Sequence, residues 1–234
     1  MYRALLFDVF GTVVDWRQSV ARQAAARFGA TRDWAAFADA WRARYQPAME
    51  AVRRGERPFV PLDVLHRENL DAIAPDFGLE SLDAAERAAV TRFWHRLDPW
   101  PDSVPGLKAL KERYIITAHS NGNVALMVNL ARHGKLPWDM ILGAEVTGHY
   151  KPLPASYRRA CQLLDVPVEQ CLMVAAHNGD LKAARACGLG TAFVPRPTEY
   201  GLGQRSDLAP EDHWDVVAKD LVDLAHQLAG LNKP

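Results

Sequence analysis

Short apolar runs, each followed by polar residues, constrain the fold of this chain more than any other feature. The runs are Ala4–Phe7, Tyr114–Ala118, Met140–Gly143, Cys171–Ala175 and Thr191–Val194. Continuous apolar runs of this length are typical of strands buried on both faces of a parallel sheet. Segments of helical spacing separate the later runs, over Val124–His133, Ala155–Leu164 and Leu181–Cys187. The alternation predicts an α/β fold, with a Rossmann-like, doubly wound parallel sheet as its core.

One long segment departs from this alternation. Residues 16–97 contain no apolar strand run and instead show amphipathic patterns rich in Ala, Arg and Trp. Helices are predicted there over Arg17–Phe28, Trp34–Arg54, Leu62–Ile73 and Ala84–Leu97. We therefore expect a core domain formed by residues 1–15 and 98–234, with residues 16–97 inserted as a helical cap domain over the carboxyl edge of the sheet.

Charge and composition exclude several classes of protein. The 28 Lys and Arg residues balance the 28 Asp and Glu residues, so neither nucleic acid nor an anionic membrane is an expected partner. No apolar stretch approaches the roughly 18 residues of a membrane span, and the N-terminus lacks the layout of a signal peptide. The three cysteines form no CxxC pair and are too few for a disulfide framework. We expect reduced cysteines and a cytoplasmic location.

Polar residues that follow the predicted strands are the candidates for a functional site. In an open α/β sheet, ligands bind outside the carboxyl ends of the strands. The architecture brings residues from four chain segments to that edge: Asp8 with Thr12, Ser120 with Asn121, Lys151, and the turn His177–Asp180. An aspartate after a strand can also simply cap a turn. The convergence of the segments, rather than any one residue, therefore predicts the site.

The string from Phe7 to Trp16 resembles the nucleophile loop of the haloacid dehalogenase superfamily, and more narrowly of its (S)-2-haloacid dehalogenase (type II) branch. The likeness spans nearly the whole chain, because the nucleophile loop, the helical cap, a Ser-Asn-Gly turn, a Lys-Pro pair and a late aspartate turn follow in that order. The resemblance implies hydrolysis of short 2-haloalkanoic acids to 2-hydroxy acids through an aspartyl ester on Asp8.

Two positions favour carbon–halogen cleavage over the phosphatase activity of other superfamily members. Phosphatases carry a second aspartate two residues after the nucleophile, where this chain has Phe10, which has no proton to give to a leaving group. A halide leaves as a stable anion and needs no such acid. The late turn holds one acid, Asp180, whereas phosphatases use two there to bind Mg²⁺. We therefore expect no required metal or other cofactor, and a haloacid as substrate.

The resemblance also implies roles for the residues at the sheet edge. Lys151 would keep Asp8 ionised, and Asp180 would position or activate the hydrolytic water. The residues implied in binding substrate or halide are Thr12, Arg42, Ser120, Asn121, Tyr157, His177 and Asn178. Structural alternatives stay open: Ser120 and Asn121 can cap the helix that begins near Val124, and Arg44 competes with Arg42 as the arginine that reaches the site.

The late turn departs from the best-known dehalogenase pattern. That pattern has an asparagine and then an aromatic residue before the aspartate, where this chain has His177, Asn178 and Gly179. The difference bears on substrate preference more than on reaction type, and His177 can act as a base near neutral pH. Three alternatives remain: a hydrolase of another electrophile such as azetidine-2-carboxylate, a Mg²⁺-dependent phosphatase, and a non-enzymatic binding module. The resemblance also suggests a homodimer.

Overall fold

The chain is described from a computed structural model over residues 1–231. Its strands are β1 (Ala4–Phe7), β2 (Val14–Asp15), β3 (Asp98–Pro99), β4 (Ile115–Ala118), β5 (Met140–Ile141), β6 (Cys171–Ala175), β7 (Gly190–Phe193) and β8 (Val216–Val217). Six of them form one parallel sheet in the order β5-β4-β1-β6-β7-β8, and β2 pairs with β3 in antiparallel fashion.

The position of β1 in this sheet brings several chain segments together. Phe7 pairs with Ala118 of β4 on one side and with Val174 of β6 on the other, so the loops after all three strands begin at the same edge. Both faces of β1 are buried, since Leu5 and Phe7 pack into one hydrophobic core while its other two residues pack into a second. The predicted doubly wound parallel sheet is confirmed.

Helices flank the sheet and fill the segment between β2 and β3. They are α1 (Trp16–Phe28), α2 (Trp34–Ala43), α3 (Tyr45–Arg53), α4 (Leu62–Ile73), α5 (Ala84–Thr91), α6 (Ser103–Lys111), α7 (Val124–Gly134), α8 (Ala144–Thr147), α9 (Pro154–Leu163), α10 (Asn178–Ala186) and α11 (Leu221–Leu231). Helices α1 to α5 confirm the predicted helical content of the insertion. No helix within residues 1–231 is long and apolar enough to cross a membrane.

Two predicted helices differ from the structure. The prediction of one helix over Trp34–Arg54 is wrong, because the chain breaks at Arg44 into α2 and α3. Pro47 explains the break, since it cannot donate to the carbonyl four residues earlier and its ring would clash with that carbonyl. The helix predicted over Ala84–Leu97 ends at Thr91 and continues only as a short 3-10 turn. Apolar periodicity also failed to predict α6, α8, α11 and β8.

The helical segment packs against the loop that follows β1. Trp16, Trp41 and Trp94 are fully buried, and their rings stack or meet edge to edge. The ring of Phe10 lies edge-on to Trp94, with ring centroids 5.9 Å apart. Because β2 and β3 pair side by side, the segment leaves and rejoins the rest of the chain at neighbouring points. The helices are thereby held beside the carboxyl edge of the sheet.

Candidate active site

A cavity of about 580 Å³ lies at the carboxyl edge of the sheet, beside the end of β1. The loops after the strands contribute Asp8, Lys151 and Asp180 to its wall, while helices α2 and α3 contribute Arg42 and Tyr45. Ligands of open α/β sheets bind at this edge. The sheet and the helical segment therefore enclose the candidate site together.

Asp8 follows β1, and its side chain is almost entirely buried. Its Oδ1 accepts a hydrogen bond from Lys151 Nζ at 2.9 Å, and its Oδ2 accepts from Thr12 Oγ1 at 2.7 Å and from His177 Nδ1 at 3.0 Å. Burial alone would raise the pKa of Asp8, but Lys151 and His177 outweigh burial and hold this pKa well below its usual range. Asp8 is therefore an ionised carboxylate whose two oxygens are both held in place.

Lys151 joins two carboxylates. Its Nζ donates to Asp8 and also to Asp180 Oδ2, and the Tyr157 hydroxyl donates to the other oxygen of Asp180. Burial would lower the pKa of Lys151, yet the charges of Asp180 and Asp8 raise it above its usual value. The structure thus brings together the three side chains predicted as catalytic, with Tyr157 beside them.

Asn121 holds the backbone of the loop that carries Lys151. Its Oδ1 accepts a hydrogen bond from the Lys151 N–H at 2.7 Å, and Asn121 lines the cavity. Ser120 is not among the cavity-lining residues, and its Oγ accepts from the backbone N–H two residues later. Neither side chain caps α7, because the Val124 N–H donates to Glu145 instead. The structural alternative of helix capping is therefore not observed.

Thr12 lies behind the wall of the cavity and is fully buried. Besides donating to Asp8, its Oγ1 accepts a hydrogen bond from the Ala176 N–H at 2.9 Å. This hydroxyl therefore ties the loop after β1 to the end of β6. Its position fits the orientation of Asp8 rather than the direct substrate contact that the sequence suggested.

Asn178 is directed away from the cavity, against the sequence prediction. Its backbone N–H and its Nδ2 both donate to Asp207 Oδ1, at 2.7 and 2.9 Å, and its Oδ1 accepts from Trp214 Nε1 at 2.9 Å. The side-chain amide is thus used to brace the loop before β8. The prediction that Asn178 binds substrate or halide is not supported, because no part of Asn178 lines the cavity.

The structure distinguishes Arg42 from Arg44. Arg42 lines the cavity, and its guanidinium carbon lies 4.2 Å from the ring centroid of Tyr45. Its Nη1 is buried and has no hydrogen-bond partner among the described residues. Arg44 lies exposed at the break between α2 and α3. A buried guanidinium N–H without a partner favours an anion as its ligand, so the geometry points to Arg42.

Glu199, which was not predicted, extends the site behind His177. Its Oε2 lies 2.9 Å from His177 Nε2, its Oε1 accepts from Trp16 Nε1 at 2.8 Å, and its side chain is only 1% exposed. Burial disfavours the charged imidazole, but Glu199 and Asp8 raise the pKa of His177 well above its usual value. Glu199 follows the fifth apolar run by five residues, and extending the strand-end argument to that loop is the one sequence signal that indicates it.

The cation between the two catalytic carboxylates is an ammonium group. Within residues 1–231, no group of three or more His, Cys, Asp or Glu side chains is placed to hold a metal ion. Lys151 Nζ instead contacts both Asp8 and Asp180.

A buried, ionised carboxylate at the end of the central strand, beside an ammonium and a cavity, defines an α/β hydrolase equipped for covalent catalysis by aspartate. A family model for haloacid dehalogenase-like hydrolases matches residues 2–188. The chain belongs to this family, which confirms the resemblance of its sequence.

Individual relatives carry more specific names. Over 218 residues the chain is 31% identical to (S)-2-haloacid dehalogenase 1 of Pseudomonas sp. (strain CBS-3), covering 90% of this chain and 91% of the relative. The crystal structure of the L-2-haloacid dehalogenase PA0810 is 54% identical with a TM-score of 0.94, covering 98% of this chain and 100% of that one. The defluorinating L-2-haloacid dehalogenase Rha0230 is 50% identical with a TM-score of 0.94, covering 97% and 95% respectively.

Proposed function

We propose that this chain hydrolyses short (S)-2-haloalkanoic acids to 2-hydroxy acids. The observation that carries the proposal is an ionised Asp8 whose neighbour two residues on, Phe10, packs its ring against Tyr45 and Trp94 and supplies no proton. A departing halide needs no proton, whereas an alkoxide leaving group does. The dehalogenase names of the relatives at 31%, 50% and 54% identity support the same reaction.

In the first step, Asp8 attacks C2 of the haloacid from the side opposite the halogen. A bond forms between an Asp8 oxygen and C2, and the halide leaves with the electron pair of the carbon–halogen bond. Lys151 and Thr12 orient the attacking carboxylate through their hydrogen bonds. The unpartnered N–H of Arg42 supplies an anion contact for the departing halide. Attack from behind inverts the configuration at C2.

In the second step, water attacks the carbonyl carbon of the aspartyl ester. Asp180 accepts a proton from this water, and Lys151, which contacts both carboxylates, donates one to the oxygen that leaves with the product. One proton of the water thus reaches the hydroxyl group of the product, and the other is released to solvent when Asp8 returns to its ionised form. The product is a 2-hydroxy acid.

We also propose that no metal or other cofactor is required. The ammonium of Lys151 already lies between Asp8 and Asp180, at distances of 2.9 and 2.5 Å from their oxygens. A divalent cation between the same carboxylates would meet the charge of this ammonium at close range. Lys151 supplies the positive charge that a metal would supply.

The antiparallel pair of β2 and β3 supports a cap domain over residues 16–97 on a core of residues 1–15 and 98–234. We propose these boundaries because the chain leaves and rejoins the core at this pair. The homodimer and the cytoplasmic location stay predictions.

Halide release tests the proposed function. Chloro-, bromo- and fluoroacetate and both enantiomers of 2-chloropropionate are offered to the wild type, with and without EDTA. We expect release from the (S)-enantiomer that EDTA does not alter. Asp8→Asn should abolish it, while Asp76→Asn, at an exposed position, should not. Phosphate-monoester hydrolysis lost in EDTA would instead identify a phosphatase, and ring opening of azetidine-2-carboxylate without halide release would identify the other electrophile.

Isotope labelling tests the covalent route. A single turnover in ¹⁸O-water should place the label in Asp8, since the new oxygen enters at the ester carbonyl. Label found directly in the 2-hydroxy acid after one turnover would contradict the aspartyl ester.

A further inference from the structure

The two oxygens of Asp8 have different surroundings. Oδ1 has one donor, the ammonium of Lys151. Oδ2 has two, the Thr12 hydroxyl at 2.7 Å and His177 Nδ1 at 3.0 Å. An oxygen that accepts two hydrogen bonds, one of them from a cation, is the better place for a full negative charge.

His177 is enclosed by carboxylates on both ring nitrogens. Nδ1 faces Asp8 Oδ2 at 3.0 Å and Nε2 faces Glu199 Oε2 at 2.9 Å. An ionised carboxylate only accepts hydrogen bonds, so both nitrogens carry protons and His177 is an imidazolium. This arrangement excludes the role of general base that the sequence left open for His177.

We propose that His177 and Thr12 form the oxyanion-binding site for hydrolysis of the aspartyl ester, and that Glu199 is the positioning residue that keeps His177 protonated. The inference rests on the proposed function. Oδ1 forms the bond to C2, and Oδ2 remains the carbonyl oxygen. When water adds to the carbonyl carbon, the electron pair of the C=O bond moves onto Oδ2, between the two donors. Collapse breaks the bond from carbon to Oδ1, which leaves as the hydroxyl oxygen of the product.

Glu199 becomes necessary once the ester has formed. Free Asp8 is an anion and holds the imidazolium by itself, but the esterified Asp8 carries no charge. His177 would then lose its proton readily near neutral pH. Glu199, buried and held by Trp16 Nε1, keeps a negative charge beside Nε2 throughout. The carboxylate therefore serves the second step much more than the first.

Separate measurement of the two steps tests this inference. Glu199→Gln and His177→Asn are compared with the wild type and with Glu68→Gln, which removes an exposed ion pair in the helical segment. The first-turnover burst of halide should change less than tenfold, whereas ester hydrolysis should slow by about 100-fold, the usual effect of losing one oxyanion donor. Intact-mass spectrometry of quenched enzyme should then show the ester accumulating on Asp8 in both variants and not in Glu68→Gln.

The dependence on pH distinguishes a lost charge from general damage. The charged groups that face His177 directly or through one further residue are Asp8, Glu199, Lys151, Asp180 and Arg42. In Glu199→Gln, ester hydrolysis should accelerate about tenfold as the pH falls from 8 to 6, because His177 regains its proton. Between those pH values the wild type should not gain rate in this way.

The charge of His177 is also observable without turnover. Nitrogen-15 NMR of labelled histidine should show both ring nitrogens of His177 protonated at pH 8 in the wild type. A neutral ring there overturns the inference, whether or not Glu199→Gln folds. Equal slowing of halide release and ester hydrolysis in both variants, with no ester accumulating, also overturns it and leaves the proposed function intact. Absence of halide release from the wild type removes the proposed function itself.

Discussion

The carboxylate of Glu199 lies directly against the backbone of Gly11. A β-carbon on Gly11 would come within 2.1 Å of Glu199 Oε1, and the φ angle of Gly11 is +88°. The loop that follows the nucleophile strand is therefore shaped to admit the carboxylate that contacts His177. Only glycine combines this backbone angle with the absence of a side chain.

Gly11→Ala should destabilise the protein and displace Glu199. The positive φ alone costs about 1–2 kcal/mol for a residue with a β-carbon. Gly29 has the same φ of +88°, but a β-carbon there would meet no heavy atom within 4 Å, so Gly29→Ala measures the backbone cost alone. We expect urea denaturation to show a larger loss of unfolding free energy for Gly11→Ala, together with slower ester hydrolysis. Equal losses in the two variants would contradict the contact with Glu199.

Removal of Lys151 should leave two buried carboxylates without their shared cation. We expect Lys151→Met to abolish halide release and to cost about 3–5 kcal/mol of unfolding free energy at pH 7. Without the ammonium, the carboxylate pKa values rise, so this cost should shrink as the pH is lowered. Adding Asp180→Asn should recover part of the lost stability.

The matched control for Lys151 is Lys182→Met, which breaks the exposed ion pair with Glu211. Exposed pairs contribute at most about 1 kcal/mol, so denaturation of this variant should stay close to the wild type. A small effect of Lys151→Met at pH 7, similar to that of the control, would argue against a buried ammonium between Asp8 and Asp180.

Arg42→Lys should slow halide release about 10- to 100-fold, because a lysine cannot place planar N–H groups where the unpartnered Nη1 lies. Arg44→Lys, at an exposed position two residues away, should leave the rate unchanged. Initial rates of halide release with saturating substrate provide the measurement. Similar rates for the two variants would remove Arg42 from the proposed halide contact.

Two buried histidines predict a loss of stability in mild acid. Burial lowers the pKa of His66 to about 3 and that of His119 to about 3. Between pH 6.5 and 3 the unfolded chain therefore binds more protons than the folded chain, and the unfolding free energy falls with pH, by up to about 1.4 kcal/mol per pH unit for each histidine.

Urea denaturation at pH 7, 6 and 5 checks this slope. His66→Phe should reduce it by about half, because Phe does not titrate and the site is apolar, with the His66 ring stacked 4.4 Å from Trp94. Replacement of the exposed His213 by Asn is the control and should leave the slope unchanged. An unfolding free energy that does not change from pH 7 to 5 in the wild type would contradict the prediction.

Much of the fold was predictable because local patterns encode it. An apolar run of four or five residues must be buried, and its end marks where the chain returns to the surface. Asp8, Asn121 and Asp180 could therefore be placed at one edge before their distances were known. The break at Arg44 was also encoded locally, by Pro47, although helical periodicity alone did not reveal it.

The sequence also carried the chemistry that distinguishes the site, since Phe10 in place of a second acid and a lysine before Pro152 are readable without coordinates. The three-dimensional structure alone showed that Glu199 reaches His177, that Asn178 turns away from the cavity, and that Arg42 rather than Arg44 lines it. Strand ends follow from local hydrophobicity. The direction of a side chain and the charge of its neighbour depend on segments brought close only by the packing of the whole chain.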